Sequence, residues 1–350
     1  METTEKSAIP SKLEQSTTYS LERCLGAGGM GSVYEAVQHG ADGFTKRVAI
    51  KLIHGSVAER PEFLHNFVGE AKLVSQLVHA NIVQTYQLGR NDQGPFIAME
   101  YIEGADLLQL LRMHAARDQR MPVALAVFVV SRVCRGLAYA HTRKDADGVP
   151  LGIVHRDISP QNVMISREGD VKITDFGMAK GLNLMIDGEG EIVMGKIRYM
   201  SPEQAGGERT DGRSDLFSVG VMLTEILVGA NIFAAEKSSE ERKRITEMVI
   251  PDFHELCPEV DVELAGIIKR ALARNVADRY QTASELLVDL EKFIYSVGYG
   301  PTSDTLAEYI REFIDKVDEA PRVGSGHTQI VQTLRSRFTP VRDSSASHSA

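Results

Sequence analysis

The pattern of apolar and polar positions changes once along the chain. Short β-prone runs broken by glycines come first, and after Gly104 the apolar positions recur with helical spacing. The β-prone runs are residues 19–25, 31–38, 46–53, 83–88 and 95–101. We therefore predict an α+β protein with two lobes, in which a small antiparallel β lobe precedes a larger, mainly α lobe.

Helices are predicted in both lobes. The small lobe has one main helix at residues 62–78, and the large lobe contains a long apolar segment at 124–141. Further helices of the large lobe are predicted at residues 215–228, 240–248, 262–273 and 282–295. Together these elements predict one domain over residues 19–295.

Both ends of the chain differ from this domain. Residues 1–18 and 319–350 are polar and poor in core-forming side chains, which predicts disordered segments. The extension 296–318 carries apolar side chains at helical spacing within 305–317, with a Thr305…Glu308 capping box. This amphipathic helix is predicted to dock on the domain or on a partner, and dimerisation is one form of the second alternative.

Composition narrows the class of protein. With 350 residues of which 43% are hydrophobic, the chain is long enough to bury a large core. Its net charge of −9 speaks against a nucleic-acid binder. No apolar run approaches the roughly 18 residues that cross a bilayer, and the first 18 residues lack an export signal, so we expect a cytoplasmic protein without membrane contact. Three scattered cysteines argue against a disulfide framework or a zinc cluster.

Candidate chemistry is concentrated in two short motifs. Residues 155–162 read His-Arg-Asp-Ile-Ser-Pro-Gln-Asn, and Asp175 begins an Asp-Phe-Gly sequence 13 residues after Asn162. Asp157 can accept a proton from an attacking hydroxyl, while Asn162 and Asp175 offer hard oxygen ligands for Mg²⁺. The order and spacing resemble the catalytic motifs of the protein kinase superfamily, in particular the bacterial relatives of the eukaryotic serine/threonine kinases.

A glycine-rich segment precedes the second predicted strand. Gly26, Gly28 and Gly31 form a G-x-G-x-x-G pattern that is also compatible with an ordinary hairpin. A dinucleotide site would lead into a helix, whereas here a strand-like sequence follows. The resemblance implies a flap over ATP, with nucleotide contacts from Leu25, Gly26, Ala27, Gly28, Gly29, Met30, Gly31, Ser32 and Val33.

Lys51 is expected to pair with an acidic residue of the small-lobe helix. It lies on an otherwise apolar strand, and Glu70 lies in the middle of an apolar helix face formed by Phe63, Phe67, Val74 and Leu77. A solvated carboxylate is the alternative, but an inward carboxylate needs a cationic partner. The resemblance agrees, since the strand lysine of kinases holds the α and β phosphates and pairs with a helix glutamate.

The segment from Met99 to Gly104 resembles the hinge of kinases, with a plain linker between the lobes as the alternative. The resemblance implies that adenine binds the backbone at Glu100 and Ile102 and that Met99 limits the depth of the pocket. It further implies a ribose contact from Asp106. Two other side chains expected at the nucleotide are Ala49 and Met164.

Later motifs separate protein kinases from kinases of small molecules. Residues 199–203 resemble the end of the activation segment, with serine in place of alanine. Asp215 begins a stretch that resembles the helix anchoring the catalytic loop, and Arg279 resembles the arginine that pairs with Glu203. The resemblance covers about residues 19–295 and implies protein substrates.

Two departures from the family pattern concern catalysis and regulation. Ser159 stands where serine/threonine kinases have a lysine, and Lys196 stands where they have a threonine. We hypothesise that Lys196 supplies the missing ammonium and that Ser159 supplies the hydroxyl, with a solvated Lys196 as the alternative. No Ser or Thr occurs between Gly177 and Ser201, so we predict activity without Ser/Thr phosphorylation in this segment.

Two functions therefore compete. The first is a serine/threonine protein kinase that uses ATP with Mg²⁺, or Mn²⁺ in its place. The second is a nucleotide-binding pseudokinase scaffold. Retention of the side chains that a phosphoryl transfer needs, Lys51, Glu70, Asp157, Asn162 and Asp175, favours the first.

Overall fold

The computed structural model describes residues 17–28, 31–54, 61–91, 94–176, 197–296 and 298–319. The two segments predicted to be disordered lie outside these residues, apart from two residues at the end of the first and one at the start of the second. The first strand begins at Thr18.

The small lobe is a five-stranded antiparallel sheet in the order β1-β2-β3-β5-β4. Its strands are β1 Thr18–Gly28, β2 Gly31–His39, β3 Thr45–Ile53, β4 Thr85–Asn91 and β5 Gly94–Glu100. The helix α1, Pro61–Val74, lies between β3 and β4 in the chain. Two small apolar clusters form its core, one around Ile53, Ala71 and Ile97 and the other around Ala36, Val48, Ile50 and Ala98.

The large lobe combines a small antiparallel sheet with many helices. The sheet has the order β6-β7-β8, with β6 Gly104–Asp106, β7 Val163–Ser166 and β8 Val171–Ile173. The helices are α2 Leu107–Ala116, α3 Val123–His141, α4 Pro202–Ala205, α5 Gly212–Val228, α6 Ser238–Glu247, α7 Phe253–Leu256, α8 Val262–Ala271, α9 Ala283–Tyr295 and α10 Ser303–Glu319. The predicted α+β fold with two lobes is confirmed.

Helices α3 and α5 form the centre of the large lobe. Asp211 caps the start of α5, and Gly229 ends it in a left-handed conformation with φ of 81°. Almost every side chain between them is buried, including polar ones such as Ser214 and Asp215, so α5 runs through the interior of the lobe. Helix α3 is long and apolar enough to cross a membrane, but most of it is buried within the large lobe.

Helix α10 covers part of the large lobe in the same chain. Its apolar face, formed by Leu306, Ile310 and Phe313, is buried in the core of that lobe. The predicted capping box at Thr305 and Glu308 is wrong, because the helix begins at Ser303. The side-chain hydroxyls of Thr302 and Thr305 instead accept hydrogen bonds from each other's backbone N–H groups.

Candidate active site

A buried carboxylate positions the predicted catalytic loop. Asp215 in the first turn of α5 is fully buried, and it accepts hydrogen bonds from the backbone N–H groups of His155 at 2.8 Å and Arg156 at 2.7 Å. Nε2 of His141 lies 2.8 Å from the same carboxylate. Burial opposes ionisation of Asp215, but the bond to His141 and the other partners outweigh it, so its pKa is lowered. These bonds hold Arg156 at a φ of 65°, a costly conformation for a non-glycine residue.

Asp157 and Asn162 are in direct contact within this loop. The side-chain amide of Asn162 donates to the backbone carbonyl of Asp157 at 2.7 Å and to its Oδ2 at 3.0 Å. Asn162 ends a short 3₁₀ turn and is 6% exposed. Because its amide nitrogen is used in orienting Asp157, its amide oxygen is the atom suited to a cation.

Asp175 brings the two lobes together. Its Oδ1 accepts a hydrogen bond from Nζ of Lys51 at 2.7 Å, across 124 residues of sequence. The backbone N–H of Thr174 donates to the carbonyl of Asn162 at 2.9 Å, which places the two predicted metal ligands on neighbouring segments. Phe176 is buried and packs edge-on against the His155 ring, with centroids 4.6 Å apart. The structure thus joins Asp157, Asn162, Asp175 and Lys51 by a continuous series of contacts.

Several predicted site residues lie outside the described part of the chain. They are Gly29, Met30 and Lys196. Glu70 falls within α1, but its side chain is outside what the structure describes. The expected Lys51–Glu70 pair therefore stays a prediction beside the Lys51–Asp175 contact.

The glycines of the predicted flap have different structural roles. A Cβ at Gly31 would overlap the carbonyl oxygen of Leu52, so pairing of β2 with β3 requires glycine there. A Cβ at Gly26 or Gly28 would have no protein atom within 4 Å. These two positions therefore leave open space along the strand end, as a backbone approached by phosphates would need.

The cleft between the lobes contains a cavity beside Lys51. Ala49 and Met99 are paired residues of β3 and β5, and of the two only Met99 lines the cavity. The cavity is lined by Lys51, Ala71, Val74, Val83, Thr85, Ile97, Met99, Ile173, Thr174, Asp175 and Phe176. Apolar walls around a lysine and a carboxylate are typical of ligand sites.

The segment that joins the lobes uses some of its polar groups internally. The backbone N–H of Glu100 donates to the Gln84 carbonyl at 2.8 Å, and its carboxylate binds Lys172 at 3.0 Å. Asp106 caps α2 by accepting a hydrogen bond from the Gln109 N–H at 2.8 Å. A ribose contact from Asp106 would have to share its carboxylate with this cap.

The remaining nucleotide contacts expected from the sequence fall on β1, β2, β7 and the segment that joins the lobes, and they stay predictions. Leu25, Ala27, Ser32 and Val33 belong to β1 and β2, and Met164 lies opposite Asp106 in the β6–β7 pair. Ile102 lies two residues after the end of β5.

A buried ion pair supports the end of the activation segment. Glu203 and Arg279 form two hydrogen bonds at 2.9 and 3.1 Å, and Ser214 donates to Glu203 at 2.6 Å. Burial opposes ionisation of Glu203, but Arg279 and Ser214 outweigh it and lower its pKa. Gln204 then donates to the Arg156 carbonyl at 2.9 Å, connecting this pair to the catalytic loop. The predicted pairing of Arg279 with Glu203 is confirmed.

Ser159 occupies a buried position in the catalytic loop. It is 3% exposed, and its Oγ makes no hydrogen bond with any described residue. A buried hydroxyl normally has a partner. This is the hydroxyl that, in our hypothesis, takes over the hydrogen bond made by the threonine of other serine/threonine kinases.

Sequence reasoning missed two supporting residues. His141 contacts Asp215, and Glu225 of α5 accepts a hydrogen bond from Tyr199 at 2.6 Å. Burial raises the pKa of Glu225. A buried aspartate such as Asp215 requires hydrogen-bond partners. The histidine at the end of the neighbouring helix α3 could therefore have been suspected from the sequence as one of them.

Comparison with known proteins agrees with this geometry. The protein kinase domain family matches residues 19–289. Over 291 residues the chain is 36% identical to the tyrosine-protein kinase MasK of Myxococcus xanthus, covering 83% of this chain and 45% of that protein. It is 35% identical over 283 residues to the serine/threonine-protein kinase PknB of Mycobacterium leprae, covering 79% of this chain and 43% of that protein. The chain thus spans less than half of the length of these curated relatives.

A solved structure shows the same fold. The kinase domain of PknI from Mycobacterium tuberculosis superposes with a TM-score of 0.58 at 26% identity, covering 81% of this chain and 99% of that one. The family match spans both lobes and includes the catalytic loop, the Asp-Phe-Gly motif and the Glu203 motif described above. The chain therefore belongs to the protein kinase family.

Proposed function

We propose that this chain is a serine/threonine protein kinase that transfers the γ-phosphate of ATP to hydroxyl groups of proteins. The observation that carries the proposal is the series of contacts from Asp157 through Asn162 and Asp175 to Lys51. A carboxylate base, two oxygen ligands and an ammonium group are the groups that phosphoryl transfer requires.

The residues present fit ATP and a divalent cation. The backbone at Gly26 and Gly28 and the Lys51 ammonium would hold the phosphates, and Asn162 and Asp175 would hold the cation. When bound, Mg²⁺, or Mn²⁺ in its place, neutralises charge on the phosphates. Oxygen ligands of this kind suit Mg²⁺.

Asp157 is the general base of the proposed reaction. Its carboxylate would accept the proton of the substrate hydroxyl, and the amide of Asn162 orients it through the 3.0 Å hydrogen bond. The buried Asp215 fixes the backbone on the N-terminal side of Asp157, so the base is held in place before substrate binds.

The pseudokinase scaffold is the competing function, and one assay separates the two. Incubation with labelled ATP and Mg²⁺ is expected to label a protein substrate with the native chain but not with Asp157→Asn. Nucleotide binding without any label on substrates would instead support the scaffold.

The exchange of side chains at Ser159 and Lys196 is also part of the proposal. We place Lys196 near the transferred phosphate and Ser159 in the hydrogen-bond position of the usual threonine. The Ser159 Oγ is buried but makes no hydrogen bond with Asp157 or with any other described residue, so this assignment rests on the sequence pattern. Lys196→Ala is expected to lower the turnover number on a peptide by about 10- to 100-fold. An unchanged turnover number would favour a solvated Lys196.

Tyrosine is the second candidate acceptor. Two observations favour testing it: a relative at 36% identity is named a tyrosine-protein kinase, and the lysine typical of serine/threonine kinases is replaced by Ser159. Phosphoamino-acid analysis of autophosphorylated protein and of a mixed peptide library is expected to yield phosphoserine and phosphothreonine. A predominance of phosphotyrosine would reverse the assignment.

Other parts of the proposal concern the setting of the enzyme. We propose protein substrates in the cytoplasm, without nucleic-acid or membrane binding; the net charge of −9 and three free cysteines support this. Activity is expected to survive phosphatase treatment, because residues 178–200 contain no Ser or Thr. Loss of activity together with loss of a phosphate mapped to that segment would contradict this.

A further inference from the structure

A row of alternating charges runs from strands β1, β2 and β3 of the small lobe to the segment that joins the lobes, residues 99–104. Glu35 of β2 is 5% exposed, and its carboxylate binds Arg23 at 2.9 Å and also Arg47. Nη1 of Arg47, near the start of β3, lies 3.2 Å from Oε2 of Glu103. Glu103 belongs to neither sheet and directly precedes β6. The row therefore reaches from the small lobe to the segment between the lobes.

The same carboxylate is bound from the large lobe. Nε of Arg167 lies 3.6 Å from Oε1 of Glu103, and the Arg167 backbone N–H donates to the Glu103 carbonyl at 2.9 Å. Arg167 lies in the turn between β7 and β8. Each lobe thus contributes one arginine to a different oxygen of Glu103.

The small-lobe end of this row is fixed in place. Burial opposes ionisation of Glu35, but hydrogen bonds from Arg47 and Arg23 outweigh it, so the pKa of Glu35 is lowered and the residue stays charged. The guanidinium of Arg47 also lies over the Tyr101 ring, 4.6 Å from its centroid. This cation–π contact adds a second attachment of Arg47 to the segment that joins the lobes.

The large-lobe end is fixed by the C-terminal helix. Gly169, in the same turn as Arg167, has a φ of 80° and packs so closely on Ser303 that a Cβ would overlap the Ser303 carbonyl oxygen. Because the apolar face of α10 is buried in the core of the large lobe, this turn is held to that lobe. An arginine on such a turn can restrain a partner on another element.

We propose that Arg47, Glu103 and Arg167 form an ionic tie that limits rotation of the two lobes about the joining segment. The proposal rests on the proposed function, because it takes the cleft between the lobes as the ATP site. The three are positioning residues, since they act on the nucleotide through the lobe arrangement. Without the tie, a smaller fraction of molecules would have the cleft at binding distance, and the apparent dissociation constant would rise in proportion.

The chain offers a matched control for the tie. Arg23 and Arg47 both bind Glu35, but only Arg47 continues to Glu103. Arg47→Met is expected to weaken binding of Mg²⁺·ADP by about 3- to 10-fold, the loss of an exposed pair and a cation–π contact. Arg23→Met is expected to stay within about twofold of the native protein, and Arg47→Lys to recover part of the loss.

Two further readouts distinguish a tie from general destabilisation. In about 1 M NaCl, where exposed charges are screened, the native protein and Arg47→Met should differ less in ADP affinity than they do at low salt. Hydrogen exchange without nucleotide should be faster at residues 101–104 and at the Arg167 amide in Arg47→Met than in Arg23→Met. Glu103→Gln should reproduce both effects.

Equal ADP affinity and equal hydrogen exchange in Arg47→Met and Arg23→Met would overturn the tie. If the native protein bound no ADP, the proposed function would fail instead. The exchange comparison would then still decide whether the tie exists, because it is made without nucleotide.

Discussion

The two sides of the active site are held in different ways. Behind the catalytic loop, Asp215 and the Glu203–Arg279 pair are buried and bonded to several partners. Across the cleft, Lys51 meets an Asp175 carboxylate that is 29% exposed, and the small lobe has only compact apolar clusters among its described residues. We infer a division of roles. Asp215 and the Glu203–Arg279 pair, which we call the buried frame, maintain the fold, whereas Lys51 and Asp175 at the cleft take part in the proposed chemistry.

Asp157→Asn tests the chemical side of this comparison and has the largest expected effect. Removing the base should lower the turnover number by about 10²- to 10⁴-fold. The free energy of unfolding should change by less than about 0.5 kcal/mol, because the substitution keeps the shape of a partly exposed residue. Peptide phosphorylation and urea unfolding measure the two quantities, and a stability loss equal to the activity loss would contradict the division.

Arg279→Met tests the frame. It leaves the Glu203 carboxylate buried without its guanidinium partner, which should cost about 3–5 kcal/mol of unfolding free energy. Lys243→Met is the control, because its pair with Glu247 is 71% and 65% exposed and should be worth less than about 1 kcal/mol. Similar urea midpoints for the two variants would show that burial of the Glu203–Arg279 pair does not matter.

Gly169→Ala tests the packing of α10 on the turn between β7 and β8. Gly148→Ala is its matched control, since Gly148 has a φ of 81° but a Cβ there would meet no atom within 4 Å. The control should lose about 1–2 kcal/mol from backbone strain alone. Gly169→Ala should lose at least about 1 kcal/mol more, because its Cβ overlaps Ser303. Equal losses in thermal or urea unfolding would mean that α10 does not press on this turn.

His114 gives the smallest expected effect, a pH dependence of the same region. Its ring is 2% exposed, contacts the Leu110 carbonyl and the Tyr309 hydroxyl, and stacks on Phe313 at 4.3 Å. Burial lowers its pKa from 6.5; the nearby Arg117 also lowers it, while the Leu110 bond and Glu312 act in the opposite direction.

Because the unfolded chain takes up the proton more readily, the stability linked to His114 is fully present above its unfolded pKa near 6.5. It is lost as the pH falls from that value toward the lower folded one. His114→Gln should therefore show a flatter decline of unfolding free energy than the native protein between about pH 7 and pH 5. Parallel declines would exclude His114 as the source.

The sequence was informative wherever local periodicity decided the structure. The five strands of the small lobe and helices such as α3 and α9 lie within a few residues of their predicted positions. Strands β6, β7 and β8 were not predicted, since runs of three or four residues contain too little alternation. The start of α10 was placed two residues late, because two threonines three positions apart are both plausible caps.

Contacts between distant residues were harder to predict. Periodicity indicates which face of α1 is apolar, but it does not reveal that Lys51 reaches Asp175. The contact of His114 with Tyr309 joins residues 195 positions apart, and an isolated histidine on a helix gives no sign of it. Only motifs whose spacing resembled a known family supplied such long-range pairs, as for Glu203 and Arg279.

The burial of most of α5 has a consequence for how the sequence of this domain can diverge. Asp215 fixes the backbone of the catalytic loop from a fully buried position, so we expect substitutions at the surface to leave these hydrogen bonds intact. Under the proposed function, recognition of protein targets could therefore change through substitutions at exposed positions, while the buried contacts behind the catalytic loop are retained.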